Sequence, residues 1–351
     1  MISSTVTSIG GCAFECTPWL TNEKIKHGMV IINGILVGLI YRDSDIVIPD
    51  NVISIAPTAF SSLDITSVTI PDSVKVIGYG AFMCCDKLTS ITINGNVETI
   101  GELAFCNCGN LTNVTIEDGV NAIGDSSFSN CYNLTSIELP DSLTSIDEGA
   151  FFGCENLTSI VIPPNVRIIG KNAFNSCHAL TSIEIPEGVK IIEERAFSSC
   201  HGLVSVTVAD SVEIIGDCAF MSCPELKSIT ILNPKCDIYD NKYTISNILS
   251  VSKKIYNGEI RGYSNSTVMN YANNYDYTFV AIDGESDFIK GDADDSGDFS
   301  VTDVILLQKW LLAKKDIHLA NWKVVDFNND DKLNIFDLCL MKKELLKISE
   351  Q

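Results

Sequence analysis

The chain has 351 residues, of which 46% are hydrophobic and 20% charged, with a formal net charge of −21. This composition is typical of a globular protein long enough for two domains, and the negative charge argues against nucleic acid or an anionic membrane surface as a partner. No apolar run reaches the ~18 residues of a membrane span. No signal peptide is visible in this chain, and we expect any export signal to lie upstream.

The chain begins in a repeat that an insertion interrupts. Phe14 lies two periods of 23 residues before Phe60, so the repeat phase survives an insertion at about residues 18–50. Within this insertion, Asn33 and Gly34 are flanked by apolar residues, which predicts a type I′ hairpin. We expect the hairpin to cap or decorate the first coils.

From Val74 onward the 23-residue pattern recurs without a slip. Each unit reads V-x-x-I-G-x-x-A-F-x-x-C-x-x-L-x-x-I-x-I, with phenylalanines at Phe82, Phe105, Phe128, Phe151, Phe174, Phe197 and Phe220. A fixed period of this length predicts stacked coils of strand and turn, each of which buries its apolar face only against its neighbours. We therefore predict a mostly β solenoid over residues 1–231.

The repeat resembles the leucine-rich repeats of the BspA-like class, which is common in exported and surface proteins of bacteria. The resemblance covers roughly residues 1–231 and implies a leucine-rich-repeat array of 23-residue units. It also implies a secreted, extracellular protein, and it indicates the fold rather than the ligand.

Seven of the fourteen cysteines also follow the period: Cys85, Cys108, Cys131, Cys154, Cys177, Cys200 and Cys223. A ladder gives each sulfur two equal neighbours and leaves a seventh sulfur over, unlike a framework of disulfide pairs. We interpret these residues as small buried side chains. Other cysteines, including Cys12, Cys16 and Cys84, could form one or two disulfides.

One column of strand residues points away from the predicted core. It contains small and polar side chains and no aromatic ring: Thr92, Thr115, Glu138, Val161, Glu184, Thr207 and Thr230. Sugar-binding faces usually need stacking rings. The column therefore favours protein recognition or a spacer role. Two histidines one period apart, His178 and His201, are interpreted as surface turn residues.

The period fails after residue 231, and residues 232–282 are predicted to form a C-terminal cap, which an open solenoid needs. The cap is predicted to contain a hairpin at Tyr256–Tyr263, a helix at Ser266–Tyr275 with Ser266 as its N-cap, and a strand at Tyr277–Ile282. Residues 283–290 follow as an acidic linker.

Two acidic segments of twelve residues, "DADDSGDFSVTD" and "DFNNDDKLNIFD", lie beyond the linker. Their oxygen-bearing residues fall at positions 1, 3, 5 and 12, with a backbone carbonyl at position 7, which is the spacing of calcium loops. Oxygen ligands without His or Cys favour calcium, and we predict two calcium ions. The predicted ligands are Asp292, Asp294, Ser296, Asp298 and Asp303 in loop 1, and Asp326, Asn328, Asp330, Lys332 and Asp337 in loop 2.

Two positions depart from the usual loop. Ser296 at position 5 removes one charge from loop 1, and Asp331 stands at position 6 of loop 2, where Gly with positive φ is usual. Asp tolerates that conformation at a cost of about 1 kcal/mol. We expect both loops to bind calcium.

Each loop leads into an amphipathic helix without the incoming helix of a full EF-hand. Two such half EF-hands, 34 residues apart, resemble the dockerin module over residues 291–348. The resemblance implies a small all-α module with two calcium-binding F-hand repeats, which attaches cargo to a cohesin module of a scaffoldin in the cellulosomes of fibre-degrading bacteria. The partner-reading positions of dockerins correspond here to Val301, Thr302, Gln308, Lys309, Ile335, Phe336, Lys342 and Lys343.

No catalytic motif such as H-E-x-x-H, G-x-S-x-G or a phosphate loop is visible. We predict a non-catalytic, secreted cellulosome component that docks through its C-terminus and presents the solenoid for protein recognition or adhesion to an unknown protein or cell-surface ligand. Two alternatives are a regulatory binder, such as an inhibitor of a protease or of a complex component, and an enzyme within the N-terminal insertion.

Overall fold

In a computed structural model of the chain, the described residues are 17–39, 44–248, 255–283, 290–294, 299–312, 322–327 and 332–349, together with 6, 8–10, 13–14, 296 and 319. The chain divides into two compact units, Met1–Ile282 and Asp283–Gln351. Within the described ranges, no helix combines the length and the apolarity that crossing a membrane requires.

The first unit is a β solenoid, which confirms the fold predicted from the 23-residue period. Most neighbouring strands pair in parallel one period apart, so that Ser205 lies opposite Ser182 and Thr99 opposite Val76. The short-strand face consists of β1 (Met29–Ile32), β2 (Ile35–Leu39), β4 (Ser54–Ile55), β6 (Val76–Ile77), β8 (Thr99–Ile100), β10 (Ala122–Ile123), β12 (Ser145–Ile146), β13 (Ile168–Ile169), β15 (Ile191–Ile192), β17 (Ile214–Ile215) and β19 (Asp237–Ile238).

The long-strand face lies on the other side of each coil. Most of its strands hold the I-x-I end of the L-x-x-I-x-I segment of the repeat. The inward aliphatic residues of both faces join one continuous core. The face consists of β3 (Asp45–Val47), β5 (Ser67–Thr69), β7 (Ser90–Ile93), β9 (Asn113–Ile116), β11 (Ser136–Glu138), β14 (Ser182–Ile185), β16 (Ser205–Val208), β18 (Ser228–Ile231), β20 (Glu259–Gly262) and β21 (Thr278–Ala281).

The N-terminal insertion forms a helix and a hairpin. β1 and β2 pair antiparallel through Asn33 and Gly34, whose φ angles are 50° and 80°, so the predicted hairpin is confirmed. β2 also pairs in parallel with β4, which makes the hairpin the first part of the short-strand face. The helix α1 (Pro18–His27) was not predicted from the sequence. Its start signal is Thr17, whose hydroxyl accepts a hydrogen bond from the Leu20 N–H at 3.2 Å.

The C-terminal cap differs from the prediction at one element. Tyr256–Tyr263 is not a hairpin, because β20 pairs in parallel with β18 on one side and with β21 on the other. The backbone N–H and C=O groups of β20 are therefore paired along both edges by strands from other parts of the chain. A hairpin would instead pair the strand with the residues next to it in sequence. The helix α2 (Thr267–Asn274) begins at the predicted N-cap, where the Ser266 side chain accepts from the Met269 N–H. The strand β21 confirms the last predicted element.

Each coil turns tightly around its repeat phenylalanine. The residues two before and two after the ring adopt positive φ, for example Leu103 (57°) and Asn107 (59°) around Phe105. A non-glycine residue there costs roughly 1–2 kcal/mol. The Leu103 N–H donates to the Asp125 carbonyl (2.9 Å) and the Asn107 N–H to the Ser129 carbonyl (2.8 Å) of the next coil. These hydrogen bonds between coils hold the strained turn.

The buried phenylalanines and cysteines form two ladders along the solenoid. Adjacent rings stack with centroids 4.7 to 5.7 Å apart, from Phe60 to Phe220. Each of the seven repeat thiols donates to a phenylalanine carbonyl of the preceding coil at 3.1 to 3.4 Å. The described cysteines, Cys84 among them, are free thiols, which confirms the interpretation of the ladder. Cys12 and Cys16 lie outside the described residues.

The second unit is a small helical domain, as predicted. It contains α3 (Val301–Leu311), a short 3-10 helix η1 (Trp322–Val325) and α4 (Ile335–Ser349). Its core combines residues of α3 and α4 with others from the loops and η1, and the buried members are Ala293, Val304, Leu307, Val325, Leu338 and Met341.

Replacing Phe151 by Ala should destabilise the solenoid by about 3 to 5 kcal/mol, because the ring is fully buried between two others and leaves a cavity in the stack. Denaturant unfolding followed by far-UV circular dichroism measures this loss. Val161→Ala is the control, since Val161 is 82% exposed. A loss below about 1 kcal/mol for Phe151→Ala would show that the ring stack is not the core.

The ladder thiols should resist alkylation in the folded protein. Burial raises the pKa of the Cys154 thiol to about 12, which lowers its thiolate fraction at pH 8 as well as its access to reagent. We expect iodoacetamide to modify the exposed Cys339 before any ladder cysteine, and mass spectrometry of tryptic peptides checks the order. Equal modification rates for Cys154 and Cys339 would contradict the burial of the ladder.

Candidate calcium and partner-binding site

The first acidic loop brings three predicted ligands together. One carboxylate oxygen from each of Asp292, Asp294 and Asp303 lies within 4.8 Å of the others. The Ser296 N–H donates to Asp292 Oδ1 at 3.0 Å and to Asp294 Oδ1 at 3.1 Å. Hydrogen bonding from the Ser296 side chain, with a smaller contribution from its backbone N–H, holds the pKa of Asp294 below its usual range. Four of the five predicted oxygen ligands of loop 1 thus form one cluster.

The second loop is described at its two ends. Asp326 at position 1 and Asp337 at position 12 are buried, with 4% and 0% of their surface exposed. The carbonyl of Lys332 at position 7 accepts a hydrogen bond from the Asn334 side chain at 3.2 Å. Three predicted ligands lie outside the described residues: Asp298, Asn328 and Asp330.

The carboxylate at position 12 has the same role in both loops. Asp303 accepts the Ala293 N–H through Oδ1 (2.7 Å) and the Ser300 N–H through Oδ2 (2.8 Å). Asp337 accepts equivalent N–H groups, from the residue after position 1 and from position 9. In α3 these contacts complete a capping box with Ser300. The position-12 side chain therefore closes the loop and starts the helix.

The described part of the two loops fits a divalent cation. Four carboxylates are buried in this small unit, at positions 1 and 12 of each loop: Asp292, Asp303, Asp326 and Asp337. Removing a carboxylate from water costs several kcal/mol unless opposite charge compensates it. Backbone N–H groups supply part of the compensation, and a bound cation would supply more. The predicted donors are all oxygen atoms, which suits calcium.

The predicted partner-reading residues all lie at the surface of their unit. Val301, Ile335 and Phe336 expose 61%, 60% and 69% of their surface. The other five are also exposed: Thr302, Gln308, Lys309, Lys342 and Lys343. Exposed apolar side chains at helix starts, with Lys beside them, suit a protein interface.

Sequence reasoning missed further exposed apolar residues on the same helices. Ile305 and Leu312 are exposed and lie at i+4 and i+11 from the predicted Val301, which is the spacing of one helix face. Leu312 and its counterpart Leu346 occupy position 21 of the two repeats, and each is 64% exposed. Aligning the two repeats beyond position 18 would have revealed this pair.

Comparison with protein families supports both units. A family described as "BspA type Leucine rich repeat region" matches residues 42–158 and 121–250. A family described as "Dockerin type I domain" matches residues 290–346. A dockerin domain implies calcium as the metal and a cohesin as the partner class. No curated protein matches the chain.

Several solved structures are similar to the chain. A leucine rich cell surface protein from Faecalibacterium prausnitzii is 27% identical and covers 72% of this chain and 92% of its own, with a TM-score of 0.38. A leucine-rich repeat protein from Bacteroides ovatus is 24% identical and covers 68% and 83%, with a TM-score of 0.35. A leucine rich repeat protein from T. pallidum is 25% identical and covers 56% and 76%, with a TM-score of 0.35.

Chelation should unfold residues 291–348 and leave the solenoid folded, because metal binding and folding are coupled in small metal-binding units. A ligand present at 100 times its dissociation constant stabilises the folded state by about 2.7 kcal/mol per site. Calorimetry with calcium and with EDTA should therefore show one transition that moves down in temperature and one that does not.

Asp303→Asn and Asp337→Asn should each lower the calcium-dependent transition, since both remove a buried carboxylate of a loop. Glu344→Gln on α4 is the control, because its ion pair with Lys347 is half-exposed and contributes little. A thermogram unchanged by EDTA would contradict calcium binding.

Proposed function

The chain belongs to the BspA type leucine-rich repeat family, and we propose that it is a non-catalytic cellulosome component. Its dockerin attaches to a scaffoldin cohesin in a calcium-dependent manner, and its solenoid presents a surface for protein recognition or adhesion. The observation that carries the proposal is that one chain contains both a solenoid and a dockerin match. In the matched unit, each of the two loops buries its first and last carboxylate.

Two calcium ions are proposed, one for each loop. Both loops bury the carboxylates of positions 1 and 12, and in both the position-12 carboxylate accepts the same two backbone N–H groups. This shared arrangement supports the binding of one calcium ion by each loop. The ligands would be those predicted from the sequence, with Asp298 and Lys332 contributing carbonyl oxygens.

A non-catalytic role outside the cell fits both units. The two matched families are binding modules. Cohesins that recruit dockerins belong to scaffoldins of extracellular complexes, so the proposed partner implies an extracellular location. The solenoid ladder does not need disulfides, because its thiols donate hydrogen bonds within the core.

We propose that the repeat-2 face of the dockerin makes the main contact with the cohesin. Ile335 and Phe336 stand where repeat 1 has Val301 and Thr302, so repeat 2 offers more apolar area at the same positions. A recess of about 490 Å³ adjoins this face, lined by Phe299, Phe327, Leu340, Lys343 and others. An aromatic anchor beside an apolar recess favours binding through repeat 2.

Charge gives the same face a preferred partner surface. Lys342 and Lys343 are exposed on the same helix as Phe336, and the Lys290 ammonium lies 4.9 Å from the Phe327 ring centroid at the recess. These cations would attract an acidic cohesin surface, and salt should weaken the attraction.

Phe336→Ala should weaken cohesin binding by roughly ten- to a hundredfold, since burying a Phe side chain contributes about 1.5 to 3 kcal/mol. Thr302→Ala, at the equivalent position of repeat 1, is the matched control and should have little effect. Titration calorimetry of the full chain with type I cohesin modules, in calcium and in EDTA, measures both.

Two outcomes would contradict these proposals separately. Small, equal losses from both single changes, with a large loss only in the double variant, would show that both faces dock. Failure of calcium-loaded protein to bind any cohesin of a broad panel would contradict the docking function itself.

A further inference from the structure

The outward residues of the short-strand face change character along the solenoid. In β8, β10 and β12 they are Thr99, Ala122 and Ser145, whereas in β13, β15 and β17 they are Ile168, Ile191 and Ile214. Ile168 and Ile214 are 38% and 43% exposed, and Tyr239 in the next coil is 55% exposed. The neighbouring coils have Thr, Ala or Ser at the same position, so the fold does not require isoleucine there.

These three isoleucines, Ile168, Ile191 and Ile214, are named the isoleucine stripe. In the next coil their column continues at Asp237, and Tyr239 lies two residues further along the chain. A groove of about 500 Å³ runs beside it, and its lining includes Ile191 and Ile214 of the stripe together with Tyr239. The charged part of its lining, named the charged wall, has three carboxylates and one ammonium: Glu193, Glu194, Asp217 and Lys171.

The charged wall of the groove keeps a net negative charge. Lys171 lies 2.8 Å from Glu194, which also contacts Arg195 at 3.1 Å. Glu193 accepts the Lys171 backbone N–H, and Asp217 accepts the side-chain amide of Asn241. The latter two carboxylates are held by neutral donors, so their charge remains available to a basic partner.

The spacing of the stripe matches an α-helix better than an extended strand. Adjacent strands lie about 4.8 Å apart, and the core rings of these coils are 5.1 and 5.4 Å apart. A helix rises about 5.4 Å per turn. One side chain per helical turn therefore meets one coil, with a mismatch of about 1 Å over the two intervals of the stripe. Same-side residues of a strand recur every ~6.7 Å and fall out of step.

We propose that the isoleucine stripe binds an amphipathic α-helix of a partner protein, with apolar residues over the stripe and basic residues toward Glu193 and Asp217. The inference rests on the proposed role of the solenoid as a recognition surface, and it specifies the partner chemistry. A second copy of the chain fits less well, because stripe-to-stripe contact would bring two negative walls together in a chain of net charge −21.

The test uses a fluorescently labelled helical peptide of sixteen residues as the probe, with Leu at i, i+4, i+7 and i+11 and Lys along one flank. Anisotropy titration with the full chain should show saturable binding. Substituting Ile191→Thr and Ile214→Thr together should weaken binding at least tenfold. The double variant should fold, because Thr99 occupies the same column.

Three controls make the result specific. Val161→Thr alters an exposed residue outside the stripe and should leave binding unchanged. A peptide of equal composition with alternating Leu should bind at least tenfold more weakly, and so should a peptide with Glu in place of Lys. Cohesin binding by the double variant should equal that of the parent chain, which separates this inference from the docking function.

The inference is overturned if the helical peptide does not bind saturably, or if the double variant or the alternating peptide binds equally well. It is also overturned if sedimentation velocity shows a dimer that the double variant loses, since the stripe would then join two copies of the chain.

Discussion

The stack of repeat phenylalanines sets the geometry on which the solenoid depends. Each ring lies over the next at about the spacing of adjacent strands. From Phe82 to Phe220 the coils all have the same length of 23 residues. The stack also places the thiol of one coil beside a carbonyl of the coil before, as Cys154 lies beside Phe128. Equal coils also align the outward residues into columns. The core therefore determines the positions of the outward residues but not their amino-acid types.

The repeat period of the sequence made most of the fold predictable. The remaining elements depend on turn residues and on contacts with distant parts of the chain. The Asn33-Gly34 hairpin followed from turn chemistry, because both residues tolerate positive φ. The parallel placement of Glu259–Gly262 did not, since an irregular insertion hid a strand that joins the stack only through distant neighbours. The left-handed turn residues also escaped prediction, because side chains as different as Leu103 and Arg195 occupy them. Hydrogen bonds between coils, rather than residue type, impose that conformation.

The calcium loops were predictable for a different reason. Ligand spacing is written directly in the sequence, and the structure brings together Asp292, Asp294 and Asp303 as that spacing requires. The second role of Asp303, as a helix-starting residue, shows only in its hydrogen bonds to backbone N–H groups. The exposed apolar residues of the solenoid and of the dockerin helices were missed, because outward positions do not show the periodic pattern that marks buried residues. Their identification needed the positions of neighbouring elements.

The two units are stabilised by different means, and this difference separates their functions. The solenoid gains stability from many equivalent coils, so a change at one outward residue leaves the stack intact. The C-terminal unit has few buried apolar residues and buries four carboxylates, so we expect its folding to be linked to a cation. In the proposed function, calcium controls attachment, while recognition by the solenoid does not depend on calcium. A protein built in this way could detach from a scaffold when calcium falls and still hold a helix on the isoleucine stripe.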